Sequence, residues 1–243
     1  YEIGRVLDAI ERYAPDATVI YTADHGMHME NHSLVDKGAT VYDENARIPF
    51  IVKGPEIPAG FVNSHPMSHI NITPTLLELF DVSCPPVIDG KSMLHELCEN
   101  PRRVNDYVFT EFARYEIDHD GFGGFQPLRA CFDGRYKLSV NLLWTDELYD
   151  LETDPQEIYN LIDSPHPEHI AARNRLHDAI LSNMDRTRDP FRGYVWLNRP
   201  WRLDAPNPKW YMRGVRHRME DERYEPRQLH YMTGYPIRQA TWQ

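Results

Sequence analysis

Cysteine is scarce in this chain, and its scarcity excludes several kinds of protein. The 243 residues contain three cysteines, Cys84, Cys98 and Cys131. An odd number at wide spacing is not a disulfide framework, and without a C-x-x-C pair nothing indicates a zinc site or a thiol redox centre. The chain is nevertheless long enough to bury a sizeable core, so disulfides are not needed for a stable fold.

Long hydrophobic runs and an excess of positive charge are also lacking. No apolar run approaches the ~18 residues that a membrane-spanning helix requires. The net charge of -11 argues against a nucleic-acid backbone or an anionic membrane as the main partner. An anionic substrate remains compatible with this charge, because a bound cation and a lysine can reverse the field within one site.

The most informative stretch that is present is T-A-D-H-G at residues 22–26. It follows the short apolar run 17–21, which predicts a buried parallel strand. In open α/β sheets, ligands bind beyond the carboxyl ends of the strands. Asp24 and His25 would lie at such an end, where the turn at Gly26 lets two neighbouring side chains reach one point. Both side chains can ligate a divalent cation, although a strand-end aspartate is also a common helix cap or turn former.

Several further blocks follow this stretch in a fixed order. They are a polar loop with His32 and Lys37, a helical turn leading into I-P-F-I-V (48–52), N-I-T-P-T-L-L-E-L-F (71–80), D-G-K-S (89–92), R-A-C-F-D-G-R-Y-K-L (129–138), and E-L-Y-D-L-E-T-D-P (147–155) with Glu157 and Asn160-Leu161. Together these blocks cover roughly residues 1–185, and they resemble the C-terminal half of a sulfatase of the alkaline-phosphatase-like superfamily. One departure is Asn71, where aspartate is usual in the family.

The resemblance implies an α/β fold: the C-terminal part of an alkaline-phosphatase-like doubly wound sheet, plus a small α+β C-terminal subdomain with an antiparallel sheet. We expect residues 1–100 to form the C-terminal half of the catalytic α/β domain and residues 101–189 the small sheet-and-helix subdomain. Residues 190–243, rich in aromatic residues and arginine, are expected to wrap the body as a tail. Within this frame, Thr73-Pro74 predicts a helix start and 165–185 predicts a helix.

The same resemblance implies roles for four residues of the first block. Asp24 and His25 would be two ligands of a single divalent cation, most often calcium, with magnesium, manganese and zinc as alternatives. Lys37 would contact the sulfate, although a solvated position is the default for any single lysine. His32 would either touch the ester oxygen as a donor or satisfy the loop backbone.

Three other features have less specific interpretations. His28 is interpreted as a specificity or surface residue, and Arg47 as half of a buried ion pair with Asp43 or Glu44. The D-H-D sequence in the glycine-rich stretch 117–125 is either a substrate-facing loop or a solvated turn.

The family's nucleophile, a formylglycine made from cysteine or serine in a C-x-P-x-R-like motif, is not found. Cys84 is followed by P-P-V-I without an arginine, Cys131 by F-D-G-R without a proline, and Cys98 by E-N-P-R out of register. The amphipathic helical pattern at the N-terminus also begins in mid-course. We therefore expect the nucleophile, and the paired aspartates that complete the cation site, to lie upstream of Tyr1.

The function implied by the resemblance is metal-assisted hydrolysis of a sulfuric ester. Two alternatives remain open: a phosphoester or phosphonate hydrolase of the same superfamily, and a non-catalytic homologue acting as a binding module. The expected partners are a small-molecule or carbohydrate sulfate ester and the N-terminal half of the same protein. The sequence indicates neither the organic part of the substrate nor the localisation.

Overall fold

The computed structural model describes residues 1–85, 88–114, 125–187, 189 and 191–207. The elements are α1 (Glu2–Tyr13), β1 (Val19–Thr22), α2 (Asp43–Ala46), β2 (Phe50–Lys53), α3 (Ile72–Leu79), β3 (Val108–Arg114), β4 (Phe125–Phe132), β5 (Tyr136–Asn141), β6 (Glu147–Asp150), α4 (Pro167–Thr187) and α5 (Tyr194–Leu197). The D-H-D sequence of the glycine-rich stretch and the tail beyond residue 207 lie outside the described residues. Among those described, no helix is both long and apolar enough to cross a membrane.

Strand β1 leads to the predicted metal ligands, and it pairs antiparallel with β2. The register places Tyr21 opposite Ile51 and Thr22 opposite Phe50. The prediction of a buried parallel strand is therefore wrong in direction and in burial, since Tyr21 is 41% exposed. A short apolar run predicts a strand, but it carries no information on the direction of the neighbour with which it pairs.

Helix α3 begins earlier than Thr73-Pro74 predicts. A turn of 3₁₀ helix, His69–Asn71, precedes it, and Ser68 and Asn71 form a capping box at its start. Asn71 is buried, and its amide nitrogen donates to the Lys91 carbonyl at 2.7 Å. An aspartate would bring a carboxylate against that carbonyl, so the asparagine is explained by its hydrogen bonding and need not indicate a degenerate protein.

The second half of the fold is an antiparallel sheet of four strands, as predicted. Its order is β3-β4-β5-β6, so each strand pairs with its neighbour in sequence. Helix α4 packs on β4 and β5, and it matches the helix predicted for 165–185. The proposed domain limits at residues 100 and 189 stay predictions.

The largest hydrophobic core lies between this sheet and α4. Its buried members include Leu138, Val140 and Leu148 from the sheet and Leu176, Ile180, Leu181 and Met184 from the helix. Trp196, Leu197 and Ala205 join the same core, so the described part of the predicted tail contributes to the hydrophobic interior.

A histidine lies inside this core. His177 is fully buried, and its Nε2 donates to the Trp196 carbonyl at 2.8 Å. Burial, together with the nearby Arg202, Arg199 and Arg192, lowers the pKa of His177 to about 4, although the hydrogen bond to Trp196 opposes the shift. The folded protein therefore holds this imidazole neutral at pH values where an unfolded chain protonates it.

This histidine is expected to make the fold acid-sensitive. Because its pKa is lower in the folded state, its contribution is constant above pH ~6.5 and is lost as the pH falls towards 4, by about 3 kcal/mol in total. The measurement is urea unfolding between pH 4 and 7 for the native sequence and for His177→Gln, which keeps a donor for the carbonyl. We expect the variant to show a shallower loss of stability with acid, and equal slopes for the two proteins would contradict the prediction.

Candidate active site

The two predicted metal ligands, Asp24 and His25, come together with Lys37 beyond the end of β1. Asp24 Oδ2 lies 3.3 Å from Nε2 of His25. Lys37 Nζ lies 3.2 Å from the same nitrogen, although twelve residues separate the two in the chain. The Asp24 side chain is 85% exposed, so this cluster opens to the surface of the described chain.

Hydrogen bonds around His25 indicate which ring nitrogen carries the proton. Nδ1 lies 2.8 Å from the Gly26 carbonyl, which can only accept, so Nδ1 is the donor. Nε2 is then left with a lone pair, which suits metal ligation. The backbone N–H of His25 donates to Asp24 Oδ1 at 2.9 Å, and this bond, with the nearby ring of His25 and then Lys37, lowers the pKa of Asp24. A carboxylate and an imidazole lone pair therefore face the same point, and that arrangement favours a cation.

Gly26 is required at this turn by close packing. A Cβ at this position would lie 1.9 Å from the Glu44 carbonyl oxygen. The Gly26 N–H also donates to the Asn45 carbonyl at 2.9 Å. The residue after the predicted ligands is thereby fixed against the backbone of α2.

The loop that joins the predicted ligands to Lys37 has an unusual backbone. Its non-glycine residues with positive φ are Met29 (49°), Glu30 (72°), His32 (54°), Ser33 (59°) and Asp36 (62°). Each such residue costs roughly 1–2 kcal/mol and persists only where its surroundings impose it. Strain of this kind collects at functional sites, so the loop 28–36 is a candidate part of the site.

His28 anchors this loop. The prediction that it is a surface residue is wrong, while the alternative of a specificity residue stays a prediction. The side chain is 1% exposed, and its Nε2 is 2.9 Å from Thr40 Oγ1. Its backbone N–H donates to the Asp36 carbonyl at 2.9 Å, which closes the base of the loop. Burial lowers the pKa of His28. The surrounding M-H-M sequence gave no periodicity from which burial could be predicted.

His32 lies in the same loop and contacts the start of α2. Its ring stacks on Tyr42 at a centroid distance of 3.8 Å, and its Nε2 is 3.7 Å from Glu44 Oε2. The side chain is 12% exposed. Its contacts are thus packing on Tyr42 and proximity to the Glu44 carboxylate, and its catalytic role stays a prediction.

Arg47 pairs with Asp43, as one of the two predicted partners. The prediction that this pair is buried is wrong. The two side chains are 3.6 Å apart, and that of Arg47 is 82% exposed. The buried partner of Asp43 is Lys137 of β5, at 2.7 Å. Because these two residues are 94 positions apart, no local pattern could have predicted the contact.

One of the three cysteines, Cys131, is buried in a way that makes it a poor nucleophile. All three are free, and Cys131 lies in the core, where burial raises the pKa of its thiol. Cys84 and Cys98 are exposed in loops. A thiol is reactive as the thiolate, so the buried residue is unreactive at neutral pH.

A cavity of about 1180 Å³ lies elsewhere, between β2, the loop 54–69 and strands β3 and β4. Among the described residues, its walls do not include Asp24, His25 or Lys37. The described chain also holds no group of three or more His, Cys, Asp and Glu side chains suited to a metal ion. The candidate site is therefore the surface cluster at the end of β1, with two of the ligands that a cation would need.

Comparison with known proteins identifies the family. The family model for the C-terminal part of N-sulphoglucosamine sulphohydrolase matches residues 30–185, which is more than half of the chain. The chain belongs to the sulfatase family. This sulfatase chain is 44% identical over 236 residues to the uncharacterized sulfatase YidJ of Escherichia coli, covering 97% of this chain and 45% of that protein. It thus spans about half the length of this relative.

Solved structures support the same fold. BT1596, a 2-O GAG sulfatase, superimposes with a TM-score of 0.66 at 28% identity, covering 84% of this sulfatase chain and 43% of that one. The phosphonate monoester hydrolase SpPMH of Silicibacter pomeroyi superimposes with a TM-score of 0.62 at 27% identity, covering 76% and 38%. The expected family and fold class are confirmed.

Proposed function

We propose that the protein containing this chain hydrolyses sulfuric esters, with Asp24 and His25 holding part of a divalent-cation site and Lys37 contacting the sulfate. One observation carries the proposal. A carboxylate, an imidazole lone pair and an ammonium group converge within 3.3 Å at the end of β1, in a chain of the sulfatase family.

The donor set is suited to a divalent cation. The Asp24 carboxylate is a hard anionic ligand, and Nε2 of His25 has a lone pair. Calcium prefers oxygen ligands, of which this chain would supply the Asp24 carboxylate and the N-terminal half the paired aspartates, and magnesium, manganese and zinc are the alternatives. When bound, the cation would polarise the sulfate group and stabilise the charge that develops in the transition state.

Lys37 would supply a further positive charge to the sulfate. Its ammonium is a compact point charge, and it lies beside the ring of His25. Such a donor stabilises the transition state when it faces the oxygens on which charge accumulates. His32 is a further candidate donor to the ester oxygen, although its contacts are with Tyr42 and Glu44.

The nucleophile is proposed to come from outside the 243 residues, as a formylglycine. Within the chain, the sequences around the three cysteines do not match the C-x-P-x-R pattern. The paired aspartates that complete the cation site would come from the same N-terminal half. The substrate is proposed to be a small-molecule or carbohydrate sulfate ester, and the likeness to a 2-O GAG sulfatase supports a sulfated sugar.

The test is hydrolysis of matched esters by the purified full-length protein. We expect turnover of p-nitrophenyl sulfate and sulfated sugars, suppression by EDTA, and recovery with calcium. A matched phenyl phosphonate monoester should be hydrolysed at least tenfold more slowly. Activity that survives complete removal of metal would contradict the cation site, and a reversed preference would establish the second function below.

The second candidate function is phosphonate or phosphoester hydrolysis. It is favoured by the likeness to SpPMH, whose fold matches over 76% of this chain. An Asp-His cation site suits either reaction, since both substrates carry anionic oxygens at the reacting centre. A non-catalytic binding module, the third possibility, predicts that neither ester is hydrolysed while the cation still binds.

A further inference from the structure

Helix α2 contacts the chain on both sides of the candidate site, next to His25 and next to Lys37. The carbonyl of Asn45 accepts from the Gly26 N–H at 2.9 Å, directly after His25. The side-chain amide of the same Asn45 donates to the carbonyls of Gly38 and Thr40, at 3.1 Å each, directly after Lys37. The position of α2 therefore determines where His25 and Lys37 stand relative to each other.

Two buried charged residues from the antiparallel sheet and the loop after it hold the start of this helix. Lys137 Nζ is 2.7 Å from Asp43 Oδ1 and 2.8 Å from Glu157 Oε1. Glu157 Oε2 accepts from the Asp43 backbone N–H at 2.6 Å. This satisfies one of the backbone donors that a helix start leaves without a partner inside the helix. We call these three side chains, Asp43, Lys137 and Glu157, the α2 clamp.

The α2 clamp differs from an ordinary surface ion pair in its burial and in its backbone conformation. Lys137 and Glu157 are 6% and 2% exposed, so the buried ammonium of Lys137 is compensated by the carboxylates of Glu157 and Asp43. Glu157 also has a φ of 55°, a conformation that non-glycine residues seldom adopt. Burial of charge and a left-handed backbone are both unfavourable, so their combination at one residue indicates a requirement for the position of its carboxylate.

The neighbouring contacts hold the Lys37 side of the loop to the same sheet. Tyr42 Oη donates to Glu147 Oε1 at 2.6 Å. Ala39 and Val41 are buried against Leu128 and Ala130 of β4. Residues 39–43 are thus fixed on the sheet, between Lys37 of the candidate site and the rest of α2.

We propose that Lys137 and Glu157 are positioning residues, which act through α2 to fix His25 and Lys37 in the geometry that the reaction requires. The catalytic part of this inference rests on the proposed function. The geometric part does not, because it concerns only how the backbone at Gly26 is held.

The experiment compares Lys137→Met and Glu157→Gln with a matched control, Arg192→Met, in the full-length protein. Glu157→Gln keeps an acceptor for the Asp43 N–H, so it carries the test if Lys137→Met does not fold. Arg192 is also buried and paired, at 3.0 Å from Asp185, and it donates to the Pro206 carbonyl. The control therefore removes a buried ion pair of the same kind, one whose partners lie outside the loop that holds the site.

Two readouts are taken, hydrogen exchange of the peptide covering residues 22–31 and kinetics with p-nitrophenyl sulfate. We expect the clamp variants to exchange at least about tenfold faster in this peptide and to lose about 10–100-fold in kcat, as for groups that orient metal ligands. The control should lose thermal stability without either change. Unaltered exchange in the clamp variants, or equal acceleration in the control, would overturn the proposal.

The two proposals fail in different ways. If the unmodified protein hydrolyses no sulfate ester, the proposed function fails, and the exchange comparison still decides whether the clamp holds the backbone at Gly26. If the unmodified protein is active, while the clamp variants exchange faster and keep normal kcat, the clamp is structural only and the positioning role is wrong.

Discussion

Replacing Asp24 with alanine is expected to abolish sulfate-ester hydrolysis by the full-length protein while leaving its fold intact. The side chain is 85% exposed, and substitutions at such positions usually change stability by less than about 0.5 kcal/mol. The change removes the only carboxylate that faces Nε2 of His25 among the described residues. Without it, the cation and the transition-state charge that it compensates would both be lost, so kcat/KM should fall by at least about 10³.

The measurement is kcat/KM with p-nitrophenyl sulfate at increasing calcium, together with thermal melting. Excess calcium should not restore the activity, because the ligand itself is missing. Asp16→Ala is the matched control, since Asp16 is an exposed aspartate in the turn before β1 and outside the cluster. Activity of the Asp24 variant within a few-fold of the unmodified protein would show that Asp24 only shapes the turn.

Local sequence patterns predicted the helices and strands in which apolar residues recur at a regular spacing. Helix α4 has Leu176, Ile180 and Leu181 on its buried side, and this spacing is visible in the sequence. The antiparallel sheet was predicted from short apolar runs separated by turn residues. In both cases the apolar residues recur at a regular spacing along the element. The sequence alone therefore predicts which of its residues are buried.

Contacts between distant segments could not be predicted in this way. The antiparallel partner of β1 is separated from it along the chain by 27 residues, 23–49. The apolar run itself does not indicate whether its neighbour is parallel or antiparallel. The burial of His28 depends on Thr40 and Tyr42 across that segment. Ser68 was missed as a cap because Thr73-Pro74 offers an equally good local signal.

For the candidate site as well, the residues of a local motif were predicted, whereas the contacts between distant segments were not. Asp24, His25 and Lys37 were named from an ordered motif, and the structure brings them together, while their chemical roles stay predictions. Asn45 and Lys137 were assigned no role from the sequence, although Lys137 lies in the block 129–138, because an amide in a helical turn and a lysine in a strand are ordinary residues. Only the folded chain shows that Asn45 bonds to the backbone beside His25 and beside Lys37, and that Lys137 pairs with Asp43 of α2.

Replacing Lys37 with alanine is expected to reduce activity without reducing stability, which would distinguish a catalytic lysine from a solvated one. The side chain is exposed and its contact is with His25, so the melting temperature should barely change. Removing the ammonium should cost a charge-assisted contact that strengthens in the transition state, and kcat/KM should fall by about 10²–10³. His32→Ala should fall between this loss and a neutral change, because its ring also packs on Tyr42.

The control for Lys37→Ala is Lys91→Ala, which removes an exposed lysine from the D-G-K-S turn. Equal kinetics for the two variants would show that Lys37 is a solvated loop residue. Calcium dependence adds a second criterion, because Lys37 is proposed to contact the sulfate and not to ligate the cation. The calcium concentration for half-maximal activity should therefore stay within about twofold while kcat falls, whereas Asp24→Ala loses the response to calcium altogether. A large shift in calcium dependence in the Lys37 variant would instead indicate that its ammonium mainly orients the ring of His25.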